Sequence, residues 1–334
     1  MNTPVSAKLF ACAALLASCV PALAQTALLS NGSANPGVPA LDEVALTGNN
    51  TPAPGAAAWS EVASAGTFAG NALAGVACGR DASDLAGGLR VSDDFVVPQG
   101  QTWNLSSIEC FAYQQAGQQG SALSLSGATL RIWNGPPGAP GSVVLFGDAS
   151  TNRLQSVQAT STYRVFTTTV GPTITSPDTS RRVHRVALAT SASLTAGTYW
   201  LDWQLQPAVA GTLVYAVPVT VAGVRSLPAW NARQLADGAW MGVLDTGKPD
   251  VSADAPQDIA FIVSGTSVVG CDSIDFNQDT LFPDDQDLVD LLTVLAGGAC
   301  STGTCSDIDF NNDGLFPDDA DLIAFLSVLA GGPC

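Results

Sequence analysis

Positive charge is scarce in this chain. Of 334 residues, two are lysines (Lys8 and Lys248) and ten are arginines, against 29 acids, for a net charge of −17. That balance argues against nucleic acid as a partner, whose phosphates need a basic face; the only basic cluster is Arg181, Arg182, His184 and Arg185. His184 is the only histidine, so a Ser-His-Asp triad has one place to form, and neither a G-x-S-x-G elbow nor an H-E-x-x-H zinc motif is present. A glycosidase needs two carboxylates set together, and the three glutamates, Glu43, Glu61 and Glu109, are scattered. No C-x-x-C pair occurs, which leaves thiolate-zinc and dithiol redox readings without support. No segment reaches about 18 unbroken apolar residues, so no transmembrane helix is expected.

What is present begins with an export signal. Lys8 precedes the apolar run Leu9–Val20, Pro21 breaks it, and Ala22-Leu23-Ala24 forms an A-x-A cleavage site, so residues 1–24 read as a signal peptide. Leu16-Ala17-Ser18-Cys19 also resembles a bacterial lipobox, which would leave a lipidated Cys19. Both routes lead to a secreted or surface location. Cleavage after Ala24 leaves six cysteines, an even count that favours disulfides in an oxidising compartment.

Residues 25–60, rich in Ala, Gly, Asn and Pro, read as a loose leader with room for one strand. A domain over 61–265 follows, built of short β-type runs such as Leu89–Val97, Ser107–Tyr113, Thr129–Trp133, Val183–Ala189 and Thr198–Leu205. With no helical pattern between them, these runs predict a mainly β fold, a jelly-roll-like β-sandwich. Thr198–Trp203 lacks strict alternation, which predicts cover on both faces. The Gly135–Gly141 stretch, with three prolines, must be a loop. Seven tryptophans admit two readings, a sugar-stacking platform or core packing. Asp93-Asp94 before Phe95 likewise reads as a turn or as part of a metal site.

The composition changes at Gly270. From there to Cys334 there are thirteen aspartates and neither lysine nor arginine. Residues 271–300 align without gaps to 305–334, with twenty of thirty positions identical. Each copy opens on alternating oxygen ligands: Asp275, Asn277 and Asp279 in the first, Asp309, Asn311 and Asp313 in the second. Calcium, which takes six to eight oxygens, draws them from positions 1, 3 and 5 of an EF-hand loop and closes the site with an acid at position 12. Here the closing acids, Asp287 and Asp321, stand at position 13. A one-residue insertion in Leu281-Phe282-Pro283 and its counterpart restores the register and gives Asp284 and Asp318 the ninth-position role. The carbonyl at the seventh role is that of Leu281 or of Phe282. Asn312, at position 4, points away from the ion in this register. Position 6 is Gly314 in the second loop but Thr280 in the first, which predicts a weaker first site.

A helix is predicted after each loop, capped by Asp284 or Asp285 in the first copy, with Leu288, Leu291, Leu292 and Leu295 on one stripe and Leu322, Phe325, Leu326 and Leu329 on the other. A loop and one helix make half an EF-hand, and two halves must pack together to form a core. The pattern D-x-N-x-D, then D-L and an apolar helix, twice in tandem between Gly270-Cys271 and Ala-Gly-Gly-x-Cys, resembles a GC-type dockerin. The resemblance covers about a fifth of the chain and implies an α-helical EF-hand-type module at 270–334 that folds with two calcium ions and docks on a cohesin-like anchoring protein. It departs from cellulosomal dockerins in its longer loop and its bracketing cysteines. Symmetry between the copies suggests disulfides Cys271–Cys300 and Cys305–Cys334, with Cys78–Cys110 in the β domain. The function expected is a non-catalytic surface, adhesion or binding protein anchored by its tail. The alternative is a polysaccharide-active enzyme or glycan-binding module on the same tether.

Overall fold

The computed structural model describes residues 26–41, 43–45, 52–61, 74–80, 88–114, 122–165, 179–221, 224–245, 253–281, 284–312, 314–315, 318–332 and 334. The signal-peptide segment, Phe282 and Asp313 lie outside the described residues. The fold is mainly β. In chain order the first strands are β1 (Thr26–Ser30), β2 (Glu43–Val44), β3 (Ala58–Glu61), β4 (Val76–Gly79), β5 (Arg90–Gln114) and β6 (Leu125–Trp133). Then come β7 (Val144–Asp148), β8 (Leu154–Val165), β9 (Arg182–Ala189), β10 (Ser193–Pro207) and β11 (Val214–Ala216). The last are β12 (Arg233–Ala236), β13 (Ala239–Gly242), β14 (Leu244–Asp245), β15 (Ala255–Pro256) and β16 (Phe261–Val269), before helices α1 (Asp285–Leu295) and α2 (Asp319–Leu329).

Fourteen strands join in one sheet: eight follow the path β2-β3-β8-β9-β5-β10-β6-β7, and β1, β4, β11, β12, β13 and β16 pair off it, while β14 and β15 pair separately. All the named pairs are antiparallel except β3 with β8. The runs predicted separately at Leu89–Val97 and Ser107–Tyr113 are the two halves of one strand, β5. It turns at Gly100, whose φ of +74° suits a residue without Cβ. The first half pairs with β12 and β10, the second with β16 and β9, so β5 is the element both groups of strands share.

One main core lies against β5, with Val91, Phe95, Ile108, Leu130, Val186, Leu201, Trp203, Phe261 and Val263. A second cluster, with Leu41, Phe111, Val183, Val217, Trp230 and Ile262, covers another face. Trp200–Leu205 is buried at every position, as the missing alternation predicts: Leu201, Trp203 and Leu205 join the main core, while Asp202 on the opposite face lies among Arg90, Arg131 and Trp133. Five of the tryptophans (Trp59, Trp103, Trp200, Trp203 and Trp230) are buried; Trp133 and Trp240 are half-buried.

The C-terminal repeats form their own small core. Phe276 and Phe310, at the second position of each loop, are fully buried against Phe325 of α2, together with Ile274, Leu291 and Ile308. Leu292 and Leu326, expected on the apolar stripes, instead face solvent.

The disulfides overturn the symmetric expectation. Cys271 pairs with Cys334 and Cys300 with Cys305, whereas Cys78 and Cys110 are free, buried thiols. Because the repeats share a core, the start of the first copy lies beside the end of the second, and Cα atoms 63 residues apart approach to 5.6 Å. In the chain-entropy model a bridge that long stabilises by about 4 kcal/mol and the short one by about 2 kcal/mol. Among the described residues no helix is long and apolar enough to cross a membrane.

Candidate metal centre

In the first loop, the backbone N–H of Asp279 donates to Asp275 Oδ1 (3.1 Å) and Asn277 Oδ1 (3.0 Å) together, so two predicted ligand oxygens converge on one point. Asp275 Oδ2 accepts from Thr280 N at 3.1 Å, and Asp279 Oδ1 turns to Leu281 N at 2.8 Å. Asp287 closes the loop: its oxygens accept from Asn277 N (3.3 Å) and Asp284 N (3.1 Å), and its side chain is buried. Asp284 is the N-cap of α1, accepting from Gln286 N at 2.8 Å, and forms a reciprocal capping box with Asp287.

The second loop repeats this framework. Asp309 Oδ2 accepts from Gly314 N at 2.9 Å, and buried Asp321 accepts from Asn311 N (3.2 Å) and Asp318 N (3.0 Å). Asp318 caps α2 through Ala320 N at 2.7 Å. Thr280 has φ +69° where Gly314 has +79°, so the first loop places a β-branched residue in left-handed backbone. Asn312 Nδ2 donates to Gly270 O and Asp272 Oδ1, both at 3.0 Å, and its side chain packs over Gly100 of β5.

The donor set fits a hard cation. Every side chain is an oxygen donor, and Asp287 and Asp321 are buried carboxyls in a segment with no lysine or arginine. A carboxylate buried without a counter-charge is costly, and a hard cation held in the loop would supply that charge. Among the described residues, which omit Asp313, the loop carboxylates form no trio at chelating spacing. Among the described residues the one trio with donor atoms within 4.8 Å of one another is Asp290, Cys300 and Cys305, whose sulfurs are already joined.

Asp290 has a different task. It accepts from Ser301 N (2.9 Å) and Oγ (2.6 Å), Gln286 Nε2 (3.0 Å) and Asn277 Nδ2 (3.3 Å), clasping the segment between the copies. Burial pushes its carboxyl up, but the hydrogen bonds from Ser301, Gln286 and Asn277 outweigh it and the net shift is downward. The second copy has Ala324 at the matching place, and that mismatch is the signal by which the sequence marks Asp290 as special.

In the β region, Asp93 lies inside β5 and not in a turn. Its Oδ2 accepts from Asn31 Nδ2 (2.8 Å) and Ile259 N (2.6 Å), tying the end of β1 to the start of β16. Burial first, then the neighbouring Asp258 carboxyl, holds Asp93 well above the ordinary range. Its hydrogen-bonded partner Asp258 is pushed by burial up to about 6. A second buried acid, Asp202, accepts from Arg90, from Arg131 Nε (2.7 Å) and from Trp133 Nε1 (3.0 Å). An aspartate inside the otherwise apolar run around Trp200 and Trp203 was its only mark in the sequence. His184 is structural: Nε2 accepts from Leu123 N at 3.3 Å, Nδ1 faces Arg182 O at 2.9 Å, and burial lowers its pKa.

No family model matches this chain, and neither do any curated protein or solved structure.

Proposed function

We propose that this chain is an exported, non-catalytic surface or adhesion protein, held by a dockerin-like C-terminal module that binds two calcium ions and docks on a cohesin-like partner. In this reading the β region is a jelly-roll-like sandwich displayed outward on its tether. The observation that carries it is the apolar surface of the repeats. Leu281, Val289 and Leu292 of the first copy are exposed, and so are Leu315, Ile323 and Leu326 at the matching places of the second. The repeats bury Phe276, Phe310 and Phe325 in a shared core yet keep three large apolar side chains in solvent at equivalent positions. A surface of that kind is one that another protein covers. The buried, uncompensated Asp287 and Asp321 support the calcium half.

Isothermal calorimetry on the secreted chain is expected to count two calcium ions, and a chelator should detach the protein from the cell surface. Absence of calcium heat would remove the metal reading. Retention of a chain truncated after Val269 would remove the attachment reading and point to lipidation at Cys19.

One feature favours the glycan-binding alternative. Arg131 stacks 4.9 Å over the half-buried Trp133 ring, both oriented by Asp202, a rigid aromatic edge of the sort sugars stack on. Beneath them Arg90 Nη2 and Ser92 Oγ have no hydrogen-bond partner among the described residues.

A further inference from the structure

The strand path has two ends, β2 and β7. β2 is two residues long and carries Glu43, a charged and abbreviated edge. β7 differs. Among the described residues it hydrogen-bonds to β6 alone, so one side of its backbone is unpaired. Three successive apolar residues enter it in solvent: Val143 (52% exposed), Val144 (38%) and Leu145 (51%). From Asn134 to Gly147 there is no charged residue at all, in a chain of net charge −17. Proteins ordinarily blunt a free edge with a lysine, a proline, a bulge or an inward charge, because an unpaired strand is a template for another strand. From Val144 to Gly147, β7 carries no charge and no proline; its one irregularity is a register shift against β6 at Leu145, and Asp148 closes the strand.

The strand is also held in place. Phe146 packs on the main core with Arg153 4.5 Å over its ring. At the far end, Asp148 takes hydrogen bonds from the N–H and hydroxyl groups of Ser150 and Thr151.

We propose that β7 is a dimer edge, on which a second copy of this chain adds its own β7 antiparallel. The chemistry chooses the occupant. Two chains so acidic repel over most of their surfaces, and the uncharged stretch 134–147 lets them approach without facing carboxylates. A two-fold axis through Val144 perpendicular to the sheet pairs Val144 with Val144 and Val143 with Leu145 on both sides. It leaves each Asp148 opposite Pro140, so no acids meet. The contact is isologous and closes at two copies, and apolar cross-strand pairs stabilise it.

The test is light-scattering mass on the secreted chain, run with calcium and with a chelator. A dimer mass that rises with concentration and is unchanged by chelator is expected, which separates this edge from association through the repeats. Leu145→Lys and Val144→Lys should each weaken the dimer on the order of 100-fold, with β-type circular dichroism retained. Leu227→Lys, at an exposed leucine elsewhere, should leave it intact. A monomeric wild type at high micromolar concentration overturns the proposal. So does a dimer that survives both lysine substitutions, or a mass that climbs past two copies.

Discussion

In the β region Asp93 and Asp258 lie against each other inside the fold, and burial keeps their carboxyls above the usual range, so the pair favours a shared proton. In the C-terminal repeats Asp287 and Asp321 are just as deeply buried, yet each takes two backbone N–H groups and stands in a loop of further oxygen donors. The same side chain thus meets burial in two ways, with a raised pKa in one region and a pair of backbone N–H donors in the other. Acid conditions suit the first arrangement. The regions also differ in how their cysteines are used. Two thiols rest free in the large core, whereas the small core is bridged twice, as expected where buried apolar surface is limited.

The largest test of this contrast removes the small core. Phe325 touches the phenylalanines of both loops, and Phe325→Ala should cost about 3–5 kcal/mol. In differential scanning calorimetry the transition of the repeats should vanish while that of the β region stays at its temperature. Loss of both together would mean that the regions unfold as one.

Next comes pH. The unfolded carboxyls titrate near 3.8, and Asp258 is raised to about 6 in the fold with Asp93 also raised. Their contribution is therefore full below about pH 4 and is lost as pH rises through 6, worth on the order of 2 kcal/mol. The β region should melt higher at pH 5 than at pH 8, and Asp258→Asn should flatten that difference. On the proposed reading, calcium binding to the repeats should weaken in acid, the opposite sense, because metal ligands bind as their deprotonated forms. Parallel pH trends in both regions would break the comparison.

The smallest effect separates the two loops. Thr280→Gly relieves left-handed backbone worth about 1 kcal/mol and should tighten the first calcium site several-fold, bringing it toward the second. A titration in which the two sites already bind alike, and which the substitution leaves unchanged, would remove the asymmetry.

Local chemistry wrote the clearest parts of this protein into its sequence. Alternating Asp and Asn oxygens, a capping acid followed three residues later by another, and apolar residues at helical spacing concern neighbours a few positions apart. The loops and both helices were accordingly legible. β-type runs and the Pro-Gly loop were legible for the same reason. Pairings between distant residues were decided only by the tertiary structure. Cys271 meets Cys334 because two half-units must bury Phe276, Phe310 and Phe325 together, and no repeat symmetry states which ends that packing brings side by side. Asp93 meets Asp258, and Asp202 meets Arg90, across gaps of more than a hundred residues, which only strand register closes. Leu292 and Leu326 fit the apolar stripe by spacing but stay in solvent, while Leu288, Leu295, Leu322 and Leu329 pack on the core of Phe276, Phe310 and Phe325.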